Sequence, residues 1–332
     1  MLGQIRGWPL MMQRFPEGID HPGSVRKDVD GSIPDWFAIV KAHGRGATLT
    51  QAIACNAPTL AYLADRACIT PPAWLSRALK PGSPDLLVFD LDPSPGVAFL
   101  ALRDAALGIG EQLGTLGLAP FAMTAGSEGI HLWAPLRGRE SFEEVRRLAG
   151  DIAELLSARH PATLTTPQRR SPGGRRVYID IMRNAYGQTA VVPHAVRARP
   201  GAPAAMPIRW EEVRQRGLRP DRLTIAFAWE RLAAEGDVWA PIARHTRGLQ
   251  WPRWRLEACK KSSGDERERA CQRMATGREM GGPMDCQTRM VRKVRQRESV
   301  PIRPRADRGG LGSRSQRRSG ARSAQAAPTG AM

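Results

Sequence analysis

The sequence predicts an α+β protein, and three observations carry that expectation. An apolar run, Leu86-Leu87-Val88-Phe89, reads as a buried strand; it meets Asp90 and Asp92 before Pro93 and Pro95 stop it. Two more extended segments, 120–124 and 130–134, flank a glycine-rich turn, the second alternating in period two. Segments with helical spacing of apolar residues lie between and after these strands, at 97–116 and 141–157.

Taken in order, residues 1–36 read as irregular, with turn signals at Pro16-Glu17-Gly18 and His21-Pro22-Gly23. Residues 47–68 read as a strand or short helix followed by a helix that carries Leu60, Leu63, Ala64 and Ala67. Pro71-Pro72 ends it, and Trp74-Leu75 is expected against the core. The helix at 97–116 presents Val97, Leu100, Ala101, Ala105, Leu107 and Leu113. Ser141 with Glu144 three residues on is a capping box, opening a helix whose inward residues include Val145, Leu148, Ile152 and Leu156. Pro172-Gly173-Gly174 turns into a strand over 176–181 that ends near Asp180. Residues 189–197 are extended, 210–213 begin a small helix, and 223–232 form a last strand or helix.

The chain has 332 residues, enough for one large or two medium domains, and a formal charge of +18. That balance favours a polyanionic partner such as nucleic acid. From Trp251 onward there are 20 Lys and Arg against 8 Asp and Glu, so about +12 of the +18 lies in the last quarter. There periodicity fades and Gly, Ser and Arg accumulate, so 251–332 reads as a basic, largely disordered tail. The five cysteines include no C-x-x-C pair, and their odd number does not suggest a disulfide framework. No window approaches the ~18 apolar residues of a membrane span. A cytoplasmic protein associated with the nucleoid, and with no membrane partner, is expected.

In a strand, residues i and i+2 share a face about 6.5–7 Å apart. Asp90 and Asp92 then point one way and Leu91 the other. Two such carboxylates need water, Lys/Arg or a divalent cation. Asp180 closes a comparable strand, and the turn Gly126-Ser127-Glu128-Gly129 leads into His131. Two divalent ions about 3.5–4 Å apart need several shared oxygen ligands, for which three aspartates are a minimal set. Backbone N–H groups in a glycine turn can cradle a triphosphate. Taken singly, each aspartate also reads as a solvated strand end, and His131 as a satisfied core histidine.

The strings FDLDP (89–93), GSEGIHLWAPL (126–136), RRVYIDIMRN (175–184) and QTAVVPHAVRARPGAPAAMP (188–207) together resemble the polymerase domain of bacterial ATP-dependent DNA ligase D. That domain belongs to the archaeo-eukaryotic primase superfamily. RFPEGID (14–20), IPDW (33–36) and LAAEGDVWAPI (232–242) agree, so the resemblance runs in colinear order over about 10–245. It implies a primase-polymerase type core, a mostly antiparallel sheet flanked by helices, with a small N-terminal module. The corresponding divisions are 1–80 for the module with DNA-end contacts, 81–250 for the catalytic core and 251–332 for the tail.

The resemblance also implies an activity: a nucleotidyltransferase adding nucleotides to a DNA 3′-hydroxyl at gaps or ends in bacterial non-homologous end joining. Asp90, Asp92 and Asp180 would be catalytic and would ligate Mn²⁺ or Mg²⁺. Gly126, Ser127, Gly129, His131 and Arg197 would meet the nucleoside triphosphate. Lys27 would hold the 5′-phosphate of a DNA gap or end, and Asn184 and Gln188 sit at polar active-site positions. A Ku-type protein and a separate ATP-dependent DNA ligase are the implied partners.

The sequence departs from the family pattern T-S-G-x-K-G-x-H at Ala125 and Glu128. A carboxylate 4 Å from a phosphate charge costs about 4 kcal/mol at an effective dielectric of ~20. Pro72 stands where a histidine is usual, and Ser24-Val25 where an aromatic pair precedes the DNA-end lysine. A second reading therefore stands beside the enzyme: a weakened or inactive relative that binds DNA ends or a repair partner. A third, a haloacid-dehalogenase-type phosphatase with Asp90 as nucleophile, shares the strand-end D-x-D but lacks a convincing downstream lysine and acidic pair.

Overall fold

The computed structural model describes residues 1–29, 33–43, 48–166, 174–215 and 217–261, which all belong to one compact unit, Met1–Thr288. The first part of the chain forms α1 (Leu2–Ile5), β1 (Pro9–Leu10), β2 (Met12–Arg14), β3 (Ser24–Arg26), β4 (Ile39–His43), β5 (Thr48–Ile53), α2 (Ala57–Asp65), β6 (Cys68–Thr70) and β7 (Ala73–Trp74). The middle forms β8 (Leu86–Pro93), α3 (Phe99–Thr115), β9 (Phe121–Thr124), β10 (Ile130–Pro135), α4 (Phe142–Arg159), β11 (Leu164–Thr165) and β12 (Val177–Asp180). After a 3-10 turn, Met182–Asn184, come β13 (Thr189–Ala190), β14 (Pro207–Ile208), α5 (Trp210–Arg214), α6 (Ile225–Glu235) and α7 (Gln250–Lys261).

The central sheet has six strands in the order β11-β12-β8-β10-β9-β14, antiparallel at every pairing except β11 with β12. β8 lies inside it and is covered on both faces. Leu87, Phe89 and Leu91 point into one apolar cluster with Leu102, Ile109 and Leu113 of α3 and Val145, Leu148 and Ile152 of α4. Leu86 and Val88 point into another, with Trp8, Leu10, Ala52 and Leu75. Double coverage explains why β8 reads as an unbroken apolar run. It also corrects the expected alternation of 130–134, because all six residues of β10 are buried.

The expected helices form, and each has a local cause. Asn56 caps α2, its Oδ1 accepting from Thr59 N at 3.0 Å. Ser141 and Glu144 complete the reciprocal capping box of α4. α3 and α6 occupy the segments expected at 97–116 and 223–232.

Two further expectations are corrected. Residues 1–36 are not simply irregular, since α1 and β1–β3 lie within them. β2 centres the three-stranded sheet β3-β2-β6, and β1 sits in the five-stranded sheet β13-β7-β1-β5-β4. Strands of two or three residues have no periodicity to read; distant partners define them. The tail does not begin at 251 either, because α7 continues the fold to Lys261. Leu256 and Cys259 are buried there, and Arg255 Nη1 donates to Thr115 O at 2.7 Å. Residues 262–332 lie outside the described residues. Cys55 and Cys68 are free thiols and Cys259 is buried, while Cys271 and Cys286 are beyond the description. Among the described residues no helix is long and apolar enough to cross a membrane.

The beginning and end of the fold are knitted together by aromatic rings. Trp8 meets Trp133 at 6.0 Å between centroids, and Trp133 meets Trp239 at 5.3 Å. Beside them, the Asp237 carboxylate accepts from Gln4 Nε2 and from Trp239 N, with His194 Nε2 3.5 Å away. Burial pushes the Asp237 carboxyl up, but His194, the Trp239 N–H and Gln4 together outweigh it and hold it at about 2. Its stabilisation is present above the unfolded value of about 3.9 and is lost as pH falls toward 2.

Asn184 closes the gap that β12 leaves beside β8. β12 pairs with β8 only from Asp90 to Pro93. One step earlier on this edge, Asn184 Oδ1 accepts from Val88 N at 2.8 Å and Nδ2 donates to Val88 O at 2.6 Å. A fully buried side-chain amide thus continues the ladder in place of a backbone, and a further bond to Ile181 O at 2.9 Å ties down the 3-10 turn.

Two measurements follow from these contacts. In urea unfolding, the stability gap between wild type and Asp237→Asn is expected to shrink by about 1 kcal/mol between pH 6 and pH 3. Asn184→Ala is expected to lower the unfolding free energy by about 3 kcal/mol, because both polar groups of Val88 lose their partner in a buried setting.

Candidate active site

The antiparallel register brings three polar residues onto one rung. His131 of β10 lies opposite Asp90 of β8, and Asp180 of β12 lies opposite Asp90 on its other side. Residues directly opposite in adjacent strands share a face. Asp92 is two residues further along β8 and joins them, while Leu91 turns into the helical core.

Asp90 is buried and has both oxygens engaged. Oδ1 lies 2.9 Å from His131 Nε2, and Oδ2 accepts from Arg183 Nε at 3.3 Å. Burial alone would raise its pKa; the His131 imidazole and then the Arg183 guanidinium reverse this and hold it at about 2. Asp180 accepts Met182 N on Oδ1 at 2.7 Å, and its Oδ2 stands 3.8 Å from Arg183 Nε. Asp92 keeps exposed surface at its tip, yet the protein packed around it still desolvates the carboxyl. That desolvation, followed by repulsion from Asp90, raises its pKa.

A cleft of about 350 Å³ opens over this rung. Asp90, Asp92 and His131 line it from the sheet, with Ser127 and Ala125 from the turn between β9 and β10. Arg183, Arg197 and Arg199 line it too, with Gln13, Thr70 and Pro72 from the small β-sheet region. Burial lowers the Arg197 pKa, and the charges of Arg199 and Arg183 lower it further. Among the described residues, neither Arg197 nor Arg199 has a carboxylate within ion-pair distance. A partly buried guanidinium beside two others favours an anion.

The glycine turn is constrained by close approach. Gly126 has φ +65°, and a Cβ there would lie 2.6 Å from Arg197 Cγ and 2.9 Å from the backbone of Ala204 and Ala205. A Cβ on Gly129 would lie 2.9 Å from Leu91 O and 3.4 Å from Asp92 Oδ1. The two glycines therefore let the turn press against Arg197 and Asp92 respectively.

Of the residues expected from the sequence, Asp90, Asp92, Ser127, His131 and Arg197 line one cleft, and Asp180, Gly126 and Gly129 adjoin it. Lys27 does not line it; it is exposed just after β3, at the edge of the sheet that contributes Gln13 and Thr70. Asn184 is a backbone clamp rather than a cleft residue. Glu128 is exposed and is not among the residues that line the cleft. Arg183 and Arg199 were not read from the sequence. Arg199 lies two residues after Arg197, in a bend where its N–H donates to Arg197 O at 2.8 Å; Arg183 depends on the 3-10 turn that folds it back over Asp180.

The donor set suits a hard divalent cation. Carboxylate oxygens are the preferred ligands of Mg²⁺ and Mn²⁺, and the Oδ2 atoms of Asp90 and Asp180 already converge on one positive group. Among the described residues, no three His, Cys, Asp or Glu side chains stand as a ready cage. The carboxylates of Asp90 and Asp180 are arranged around the Arg183 guanidinium.

Residues 1–239 match the family described as LigD, primase-polymerase domain. The multifunctional non-homologous end joining DNA repair protein LigD of Mycobacterium tuberculosis is 32% identical over 246 residues, covering 72% of this chain and 32% of that protein. Its counterpart in Mycolicibacterium smegmatis is 28% identical over 244 residues, with coverage of 73% and 32%. The matched stretch is thus about a third of the length of these curated relatives. The polymerase domain from Mycobacterium tuberculosis ligase D, solved in complex with DNA, superposes with a TM-score of 0.70 at 30% identity, covering 74% of this chain and 88% of that one. The α+β fold with its antiparallel sheet is therefore of primase-polymerase type, and the chain belongs to the LigD primase-polymerase domain family.

Proposed function

We propose that this chain is a DNA-repair nucleotidyltransferase that adds nucleotides to a DNA 3′-hydroxyl at 5′-phosphorylated gaps or ends during non-homologous end joining. The observation that carries the reading is that Asp90 and His131 of the central rung share one cleft with Arg197 and Arg199. Carboxylates and guanidinium groups gathered in one cleft match a substrate that brings phosphate charge together with divalent cations. Likeness to a domain solved with DNA supports the choice of polymer.

Mg²⁺ or Mn²⁺ held by Asp90, Asp92 and Asp180 would neutralise phosphate charge and activate the attacking hydroxyl. His131 fixes Asp90 from the neighbouring strand, so its carboxylate is oriented before substrate arrives. Arg197 and Arg199 bind the triphosphate, and the Gly126–Gly129 turn brings backbone N–H groups and Ser127 to the same wall. The primer 3′-oxygen attacks the α-phosphorus in line, and the bond to the bridging oxygen breaks to release pyrophosphate. Lys27 holds the downstream 5′-phosphate. A Ku-type protein and a separate ATP-dependent DNA ligase complete the repair reaction.

A second reading, end binding without catalysis, draws on Val25. It is 57% exposed on β3, where a stacking aromatic would contribute ~1–3 kcal/mol per base. Extension assays separate the two. With Mn²⁺, a gapped 5′-phosphorylated duplex and labelled nucleotides, wild type is expected to extend the primer and Asp90→Ala to lose about a hundredfold or more. Binding without extension by wild type would favour the second reading. Lys27→Ala is expected to weaken binding to 5′-phosphorylated gaps about tenfold and to leave 5′-hydroxyl gaps unchanged, measured by fluorescence anisotropy.

A further inference from the structure

The chemistry above assigns Arg183 no task, yet its guanidinium lies where the metal carboxylates meet. Nε is 3.3 Å from Asp90 Oδ2 and 3.8 Å from Asp180 Oδ2. The other oxygens of these groups are committed, Asp90 Oδ1 to His131 Nε2 and Asp180 Oδ1 to Met182 N. Arg183 therefore covers the pair of oxygens that remains for a cation.

The three side chains differ in freedom. Asp90 and Asp180 are 7% and 12% exposed, held by strands and by their second partners, whereas Arg183 is 39% exposed. Its backbone is fixed by the 3-10 turn that Asn184 anchors, so movement belongs to the side chain. The destination is in the same cleft, where Arg197 and Arg199 form the cationic wall. A triphosphate there offers oxygens that can replace the carboxylates as partners of a guanidinium.

We propose that Arg183 is a tethered placeholder cation: it pins Asp90 and Asp180 together in the free protein and transfers to the triphosphate when nucleotide enters, releasing their oxygens to the incoming metal. This positioning role rests on the nucleotidyltransferase reading. It neutralises a buried acidic pair while the site is empty of substrate, and it makes stable metal uptake depend on nucleotide.

The role predicts opposite effects on two ligands. Mn²⁺ binding to the full chain without nucleotide, followed by electron paramagnetic resonance, is expected to be at least tenfold tighter in Arg183→Gln than in wild type. Binding of dATP with an α,β-methylene bridge, measured calorimetrically in metal-free buffer, is expected to weaken at least fivefold in the same variant. Arg183→Lys keeps the charge, is the milder change for folding, and should bind Mn²⁺ within threefold of wild type. A purely structural arginine would weaken both ligands together, and that result would overturn the proposal. Equal Mn²⁺ affinity in wild type and Arg183→Gln, with primer extension intact, would overturn it and leave the polymerase reading standing. Failure of both proteins to bind Mn²⁺ even with nucleotide present would overturn both.

Discussion

A carboxylate buried in the middle of a sheet must be given hydrogen-bonding or charged partners, and the architecture around Asp90 answers that demand. Desolvation disfavours the charged form strongly unless hydrogen bonds and opposite charge compensate. Here one neighbouring strand supplies His131 and the turn after the other supplies Arg183. His131 arrives through ladder register and Arg183 through the 3-10 turn that follows β12, so the electrostatics of the site follow from how β10 and β12 pair with β8 and where β12 ends. A slip of one residue in either pairing would turn the polar side chains into apolar packing.

The same strand divides the molecule. Its odd-numbered residues feed the helical core and its even-numbered ones feed the cluster shared with the N-terminal strands. Asp90 and Asp92 fall at the end of the even series, where the second cluster gives way to the cleft. Packing on both sides leaves β8 little room to move, which suits a wall that must hold ligating oxygens at fixed spacing.

Much of this was legible in the residues themselves. The apolar run into D-x-D, the capping box at Ser141 and the helical spacing at 97–116 each have a local cause, and each corresponds to an element that forms. Illegible features are those decided by distant partners. β1, β2 and β3 are too short to show a period, and their pairings create them. The basic composition near the end of α7 hid a helix whose Leu256 and Cys259 are buried. Asn184 belongs to the strand ladder for a reason no local pattern encodes: β12 stops one step short of Val88. Glu128 is exposed beside the cleft rather than among its lining residues, a placement the turn's sequence does not encode. The metal role of the three aspartates was inferred from their type and resemblance, while Arg183 emerged only from the fold-back of a turn.

The five-stranded sheet carries a consequence for how the protein is made. β7 completes its pairing with β13, which follows more than a hundred residues later, and nearby Thr70 Oγ1 donates to Val196 O across 126 positions. Such distant closures slow assembly, since loop entropy must be overcome before the contacts form. On the ribosome, the early strands emerge with their polar edges open and wait for the later segment. The nascent chain thus passes through a stretch of synthesis in which chaperone protection matters most, and both walls of the cleft come together only when that wait ends.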